Sequence, residues 1–384
     1  MGDVWVQSPV LRPQSLRAQF LDLSWQRGSA NFFIEDIPFS YSSGPMMAQQ
    51  LLPLVQQVLH QGEAVCEIYE LGAGLGMLSK HLLAACDEAG ILGQVNAHVT
   101  DFSAPLLAQA QASGAFDRFD GHVQFQCLDA AQASDQITGK MHLCLMMYLL
   151  DSIPPYHVGV EGGQLVAYQI ESRLDEEAVF IDSSVIPPKL LSAREVIARF
   201  QSGEITQNLP LFSQLSQAIE EHWVPCPIYE SGMSDSDQVM LTRFLDQASG
   251  SDTLRFNTHP AYQTLIQMVA RHLTGAGVIM DFGQVRSSQS SDLAPLAKPY
   301  LGAQCYSVYF PFLEFVCQEL DLEVRVSDFE DHDTQFLIFN PKGACSDAQV
   351  QLLAKKNNGQ SLVTVIDAID ELTLNSPDDQ PQLE

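Results

Sequence analysis

The sequence predicts an α/β protein. Its core is a mostly parallel sheet covered by helices on both faces, closed by an antiparallel strand and interrupted by a large α+β insertion. Three observations carry this. Between about residues 64 and 150, short apolar runs alternate with amphipathic stretches, the pattern of a parallel sheet wound with helices. The alternation lapses over 156–275 and resumes with the apolar run Gly277–Phe282. Of the 384 residues, 46% are hydrophobic and 17% charged, a globular composition long enough for two domains.

The elements follow in order. Asn31–Gly44 mixes aromatics with turn residues and reads as an ordered loop. Pro45 opens a helix, where its missing N–H costs nothing, and Met46, Leu51, Leu54, Val55 and Val58 follow at helical spacing. Ala64–Leu71 reads as a buried strand, and Leu78, Leu82, Leu83 and Cys86 share one face of a helix over Met77–Ala89. A strand over Val95–Thr100, a helix over Ala104–Ser113, a strand over His122–Leu128 and a buried strand over Leu143–Leu150 continue the alternation.

The insertion should hold strands near Gln164–Ile170 and Ala178–Ile181, helices near Ala193–Phe200 and Leu211–His222, and proline-bearing connections such as Val224–Pro227. A helix over Phe310–Leu320 and antiparallel strands Leu322–Ser327 and Gln335–Asn340 should close the core. The expected organisation is therefore four parts. Residues 1–62 form a loop and helix covering the site; 63–155 with 276–345 form the core; 156–275 form a lid or substrate domain; 346–384 form a helix and a disordered acidic tail.

Charge narrows the partners. Against 19 Lys+Arg stand 47 Asp+Glu, a net charge of −28, which repels phosphate backbones and anionic lipid heads. No nucleic acid and no membrane partner is expected, and a cationic partner is. The run Met141–Leu150 is too short to span a bilayer. None of the eight cysteines forms a CxxC pair, no metal spacing is present, and Met1–Val10 lacks a secretory pattern, so a reducing cytoplasm is expected. The oligomeric state is left open.

The chemistry-bearing stretch is Glu70-Leu71-Gly72-Ala73-Gly74-Leu75-Gly76, between an apolar strand and an amphipathic helix. Glycines let the backbone turn sharply and approach a ligand, and the following helix N-terminus favours a carboxylate. A dinucleotide site wants G-x-G-x-x-G, but the third position here is Met77. The observed E-x-G-x-G-x-G instead resembles motif one of class I S-adenosylmethionine (SAM) methyltransferases, whose sheet is Rossmann-like. An acid at the strand end suits the cationic part of that donor. Asp101, followed by Phe102, ends the next strand, where it can accept both ribose hydroxyls. Asp129, followed by Ala130, ends the third and is placed to accept from the adenine amino group. Ser42 and Ser43 sit in a loop that can fold over the donor.

Five segments in succession resemble the MidA family, SAM-dependent methyltransferases linked to assembly of respiratory complex I. They are Ser40–Pro45, the glycine loop, Val99–Leu107, Asp151-Ser152-Ile153-Pro154 and Ile279-Met280-Asp281-Phe282-Gly283. The resemblance implies SAM as cofactor and a protein arginine as acceptor, hence a basic protein substrate. It nominates Asp151 and Asp281 as acceptor-side catalytic residues. The chain departs from the family at Met147-Tyr148, where an Asn-Glu pair is usual, and so lacks one acceptor-binding acid. Two rival expectations are a non-catalytic SAM-binding scaffold or assembly factor and an NAD-dependent oxidoreductase.

Overall fold

The computed structural model describes residues 2–27, 43–130, 136–247, 254–258, 260–284, 297–300, 303–326 and 334–343. The chain opens with β1 (Asp3–Val10), α1 (Leu16–Gln26), α2 (Pro45–His60), β2 (Cys66–Leu71), α3 (Met77–Glu88), β3 (Val95–Asp101), α4 (Ala104–Ala112), β4 (Val123–Cys127) and β5 (Met141–Met147). It continues through β6 (Tyr156–Glu161), β7 (Gln164–Asp175), β8 (Val179–Asp182), β9 (Lys189–Ser192), α5 (Ala193–Gln201), α6 (Leu209–Ala218) and β10 (Glu220–Pro227). Then come α7 (Asp235–Gln247), β11 (Arg255–Thr258), α8 (Pro260–His272), β12 (Leu273–Gln284), β13 (Ala297–Tyr300), β14 (Ala303–Tyr306), β15 (Val308–Tyr309), α9 (Phe310–Glu319), β16 (Leu322–Val326) and β17 (Thr334–Pro341).

These elements fall into two compact units. One is built from 32–149, 264–281 and the chain after 316. Its sheet runs β16-β17-β12-β5-β2-β3-β4. The pairs β12–β5, β5–β2, β2–β3 and β3–β4 are parallel, while β16 and β17 are antiparallel. All seven residues of β5 are buried, as a central strand of a doubly covered sheet requires. The predicted faces of α2 and α3 meet on one side of this sheet. Leu51, Val55, Leu78 and Leu82 pack there against Ile68, Val99, Leu145 and Val278. The fold is thus mixed α/β with a mostly parallel central sheet.

The other unit holds 1–31, 150–263 and 282–315. Its antiparallel sheet runs β1-β7-β6-β11, with β10 along the second edge of β7. A separate hairpin, β8–β9, packs with α5 and α6 around Phe180, Leu191, Val196 and Phe212. The division differs from the expected one. Residues 1–31 group with the inserted segment because β1 pairs with β7 from Asp3↔Asp175 to Val10↔Ile170. Residues 282–315 join them too.

Two further expectations are corrected. The helix expected over Leu211–His222 ends at Ala218, and Glu220–Pro227 is a strand rather than a connection. Pro225 and Pro227 are tolerated because, among the described residues, β10 pairs with β7 alone, so the missing N–H groups cost no pairing on its other edge. The strand expected to reach Leu150 stops at Met147, where Tyr148 takes a left-handed conformation at φ 51°. The loop expected over 31–44 and the helix and tail expected over 346–384 lie, apart from 43 and 44, outside the described residues.

Candidate active site

Strand register sets the site. Leu71 stands opposite Thr100 on β3 and Met146 on β5, and Asp101 stands opposite Cys127 on β4. The carboxyl ends of four parallel strands therefore finish in one row, where open α/β sheets bind ligands. The glycine loop leaves β2 at this row and enters α3.

Gly72, Gly74 and Gly76 all have positive φ, at 68°, 56° and 70°. At two of them a side chain also has no room. A Cβ on Gly72 would lie 2.7 Å from Leu149 Cδ1, and one on Gly76 2.9 Å from Val99 Cγ1. The loop is tied to the next strand, since Ala73 N donates to Thr100 O at 2.9 Å. The hydroxyl of Thr100 donates in turn to Glu70 O at 2.9 Å.

Two carboxylates brace this bend. One oxygen of Asp101 accepts from Gly74 N at 2.9 Å and the other from Ser103 N at 2.8 Å. Glu70 Oε2 accepts from Ser79 N at 3.0 Å and from the Ser79 hydroxyl at 2.5 Å, inside the first turn of α3. Glu70 is 5% and Asp101 6% exposed. Burial pushes the Glu70 carboxyl up to about 7, against the lowering effect of the Ser79 bonds and with a smaller push from Asp101. Burial also raises Asp101, against the amides of Ser103, Gly74 and Phe102.

The structure thus brings Glu70, Gly72, Ala73, Gly74, Gly76 and Asp101 together. Phe102 follows, half-buried, and Leu128 N donates to Asp101 O at 2.9 Å, which docks the end of β4 beside the loop. Asp129, half-buried, and Ala130, buried, come next. Ser43 stands immediately before Gly44, which caps α2, and Ser42 lies outside the described residues. Asp281 is fully buried in β12, one residue past Met280, which pairs with Met147. Asp151 is buried in the short turn Leu150–Ser152, in the other compact unit.

Sequence reasoning missed the residues that hold the acids rather than the acids themselves. Ser79 is 1% exposed on an otherwise apolar helix face. Ser103 is fully buried, and its hydroxyl has no hydrogen-bond partner among the described residues. Tyr148 donates its N–H to Met280 O at 2.8 Å while strained in the left-handed region, a conformation that clusters at functional sites.

The arrangement fits a cationic nucleoside donor. Among the described residues neither buried carboxylate has an Arg or Lys partner; their hydrogen bonds there come from Ser79, Gly74, Ser103 and Phe102. Such a pair is costly without a positive charge nearby. The Asp101 carboxylate accepts backbone N–H groups of Gly74, Ser103 and Phe102 and, with about four lone-pair sites on its two oxygens, keeps capacity for a hydroxyl donor. Among the described residues no three His, Cys, Asp or Glu side chains gather as a metal site.

Sheet order, glycine bend and buried acids define a Rossmann-like methyltransferase of the SAM-dependent kind. The model of a family described as "Putative S-adenosyl-L-methionine-dependent methyltransferase" matches residues 46–310, and the chain belongs to that family. Two crystal structures from Burkholderia thailandensis share the fold. One, of an uncharacterized protein, is 14% identical, covers 89% of this chain and 97% of its own, with a TM-score of 0.53. The other, of a "likely methyl transferase" bound to S-adenosyl-homocysteine, is 13% identical, covers 92% of this chain and 100% of its own, with a TM-score of 0.54. A search of curated proteins finds no match. No helix among the described residues is long and apolar enough to cross a membrane.

Proposed function

We propose that this chain binds SAM against the Gly72–Gly76 bend and methylates a cationic side chain, an arginine, on a basic protein. The observation that carries the donor half is the pair of buried acids, Glu70 and Asp101, on a glycine bend with no cationic side chain among the described residues bonded to them. In this reading Asp101 holds the ribose, Phe102 and Ala130 flank the base, and Asp129 accepts from the adenine amino group. Glu70 sets the loop through Ser79 and adds negative potential. The solved neighbour bound to S-adenosyl-homocysteine supports the assignment by its fold. The acceptor half rests on the MidA resemblance and on the net charge of −28, which attracts basic chains.

The donor supplies a methyl group on a positively charged sulfur. The chain's own task is alignment and proton handling. Holding an acceptor nitrogen in line can be worth about 7–11 kcal/mol. The acceptor must present a free lone pair, and a carboxylate can take its proton. Asp151 and Asp281 are the candidates, both buried.

The test is transfer of tritiated methyl from SAM to basic proteins of a cell lysate, followed by location of the label. Wild type should label protein arginine. Asp151→Asn or Asp281→Asn should cut the rate about a hundredfold or more while SAM still binds. Donor binding without any labelled protein would contradict the proposed acceptor and favour a scaffold. Full activity in both variants would remove these two acids from the chemistry.

A further inference from the structure

Among the described residues two non-glycine positions have a positive φ, Tyr148 and Asp321. Asp321 lies exposed in the turn before β16, and short polar residues enter the left-handed region readily. Tyr148 is different. It is a bulky aromatic directly after the central strand β5, in the row where the parallel strands finish. A bulky side chain is an outlier in that conformation, which persists only where its surroundings hold it.

Three contacts hold it, all within one compact unit. The Tyr148 N–H donates to Met280 O at 2.8 Å, one rung past the pairing of Met147 with Met280. Its hydroxyl reaches Thr334 Oγ1, at the start of β17, at 3.3 Å. Its ring packs on the apolar core that β2, β5 and β12 share with α2 and α3.

The consequence of the turn lies one residue on. Continued as a strand, the chain would carry residue 149 roughly 6–7 Å along the strand axis beyond Met147. Instead Leu149 is buried against the first glycine of the bend. The position that a Cβ on Gly72 would take is 2.7 Å from Leu149 Cδ1, 3.4 Å from its Cγ and 3.5 Å from its Cβ. Leu149 thus fills the space beside Gly72 that a side chain there would need. The bend is held from two strands: from β3 by the hydrogen bonds of Ala73 and Gly74, and from the end of β5 by the packing of Leu149.

Building on the SAM reading above, we propose that Tyr148 is a positioning residue of the donor site: its left-handed backbone sets Leu149 against Gly72 and so fixes the start of the bend that receives the nucleoside. Backbone and ring can be separated by substitution. Tyr148→Gly keeps the left-handed backbone without steric cost and loses the ring. Tyr148→Val keeps an apolar side chain, but a β-branched residue resists a positive φ.

The test is titration calorimetry of the full chain with S-adenosyl-homocysteine, with thermal melting alongside. Affinity should follow the backbone, with Tyr148→Gly within about threefold of wild type and Tyr148→Val weaker by about tenfold or more. Stability should follow the ring, with Tyr148→Gly melting below wild type. Leu149→Ala keeps the turn and removes what it positions, so it too should weaken binding by about tenfold. Wild-type affinity in Tyr148→Val, weaker binding by Tyr148→Gly than by Tyr148→Val, or unchanged binding by Leu149→Ala would overturn the proposal. A wild-type chain that binds neither this nucleoside nor SAM would contradict the donor reading itself, and the proposal with it.

Discussion

Glu70 braces the donor loop and also resists its own charge. Its oxygen fixes the first turn of α3 through Ser79, yet burial lifts the carboxyl to about 7. The raised value means the folded chain holds a proton that the unfolded chain releases at lower pH. This contribution to stability is complete below the ordinary carboxyl range near 4.5 and is lost as pH rises through about 7. A cationic ligand reverses the preference, because it binds better to the ionised acid. SAM affinity measured by calorimetry should therefore rise on the order of tenfold between about pH 5.5 and pH 7.5. Glu70→Gln should flatten that rise. An equal rise in the variant would place the titrating group elsewhere. The acids at the strand ends were legible in the sequence because each terminates an apolar run. Their partners were not, since Ser79 and Ser103 are brought to them only by the helix starts.

Within the loop-and-helix element, the glycines and Ser79 are not interchangeable with alanine. Ser79→Ala removes the hydroxyl donor to the buried Glu70 carboxylate and leaves it the backbone N–H of residue 79, at a cost of about 1–3 kcal/mol read by denaturant melting. Gly76→Ala combines a left-handed backbone with a Cβ 2.9 Å from Val99 Cγ1 and should cost at least about 1–3 kcal/mol. Unchanged melting in either would mean the bend relaxes freely. Elements with one strong signal were read well: β2, α3, β3, α4 and β4 alternate cleanly between periods. Elements with conflicting signals were not. The sequence of β10, Glu-Glu-His-Trp-Val-Pro-Cys-Pro, places two prolines in a strand, which its edge position alone permits. The strand β1 was invisible because its partner, β7, begins more than 150 residues later.

The whole molecule carries −28, so its folded state works against self-repulsion. Raising ionic strength from about 20 to 300 mM shortens the screening length to below about 10 Å and should raise the melting temperature. A fall would show that matched ion pairs outweigh the excess acids. The organisation into two units makes a further prediction. Donor binding should slow amide exchange across Gly72–Ser103 and leave the β8–β9 hairpin unaffected, because those residues belong to different units.

Titration calorimetry of the full chain with SAM and with S-adenosyl-homocysteine, repeated on Gly74→Arg, tests the donor site most directly. One molecule of either nucleoside should bind per wild-type chain, and neither should bind the variant, whose side chain would fill the bend. Absence of binding to wild type, or binding retained by Gly74→Arg, would contradict the site described above.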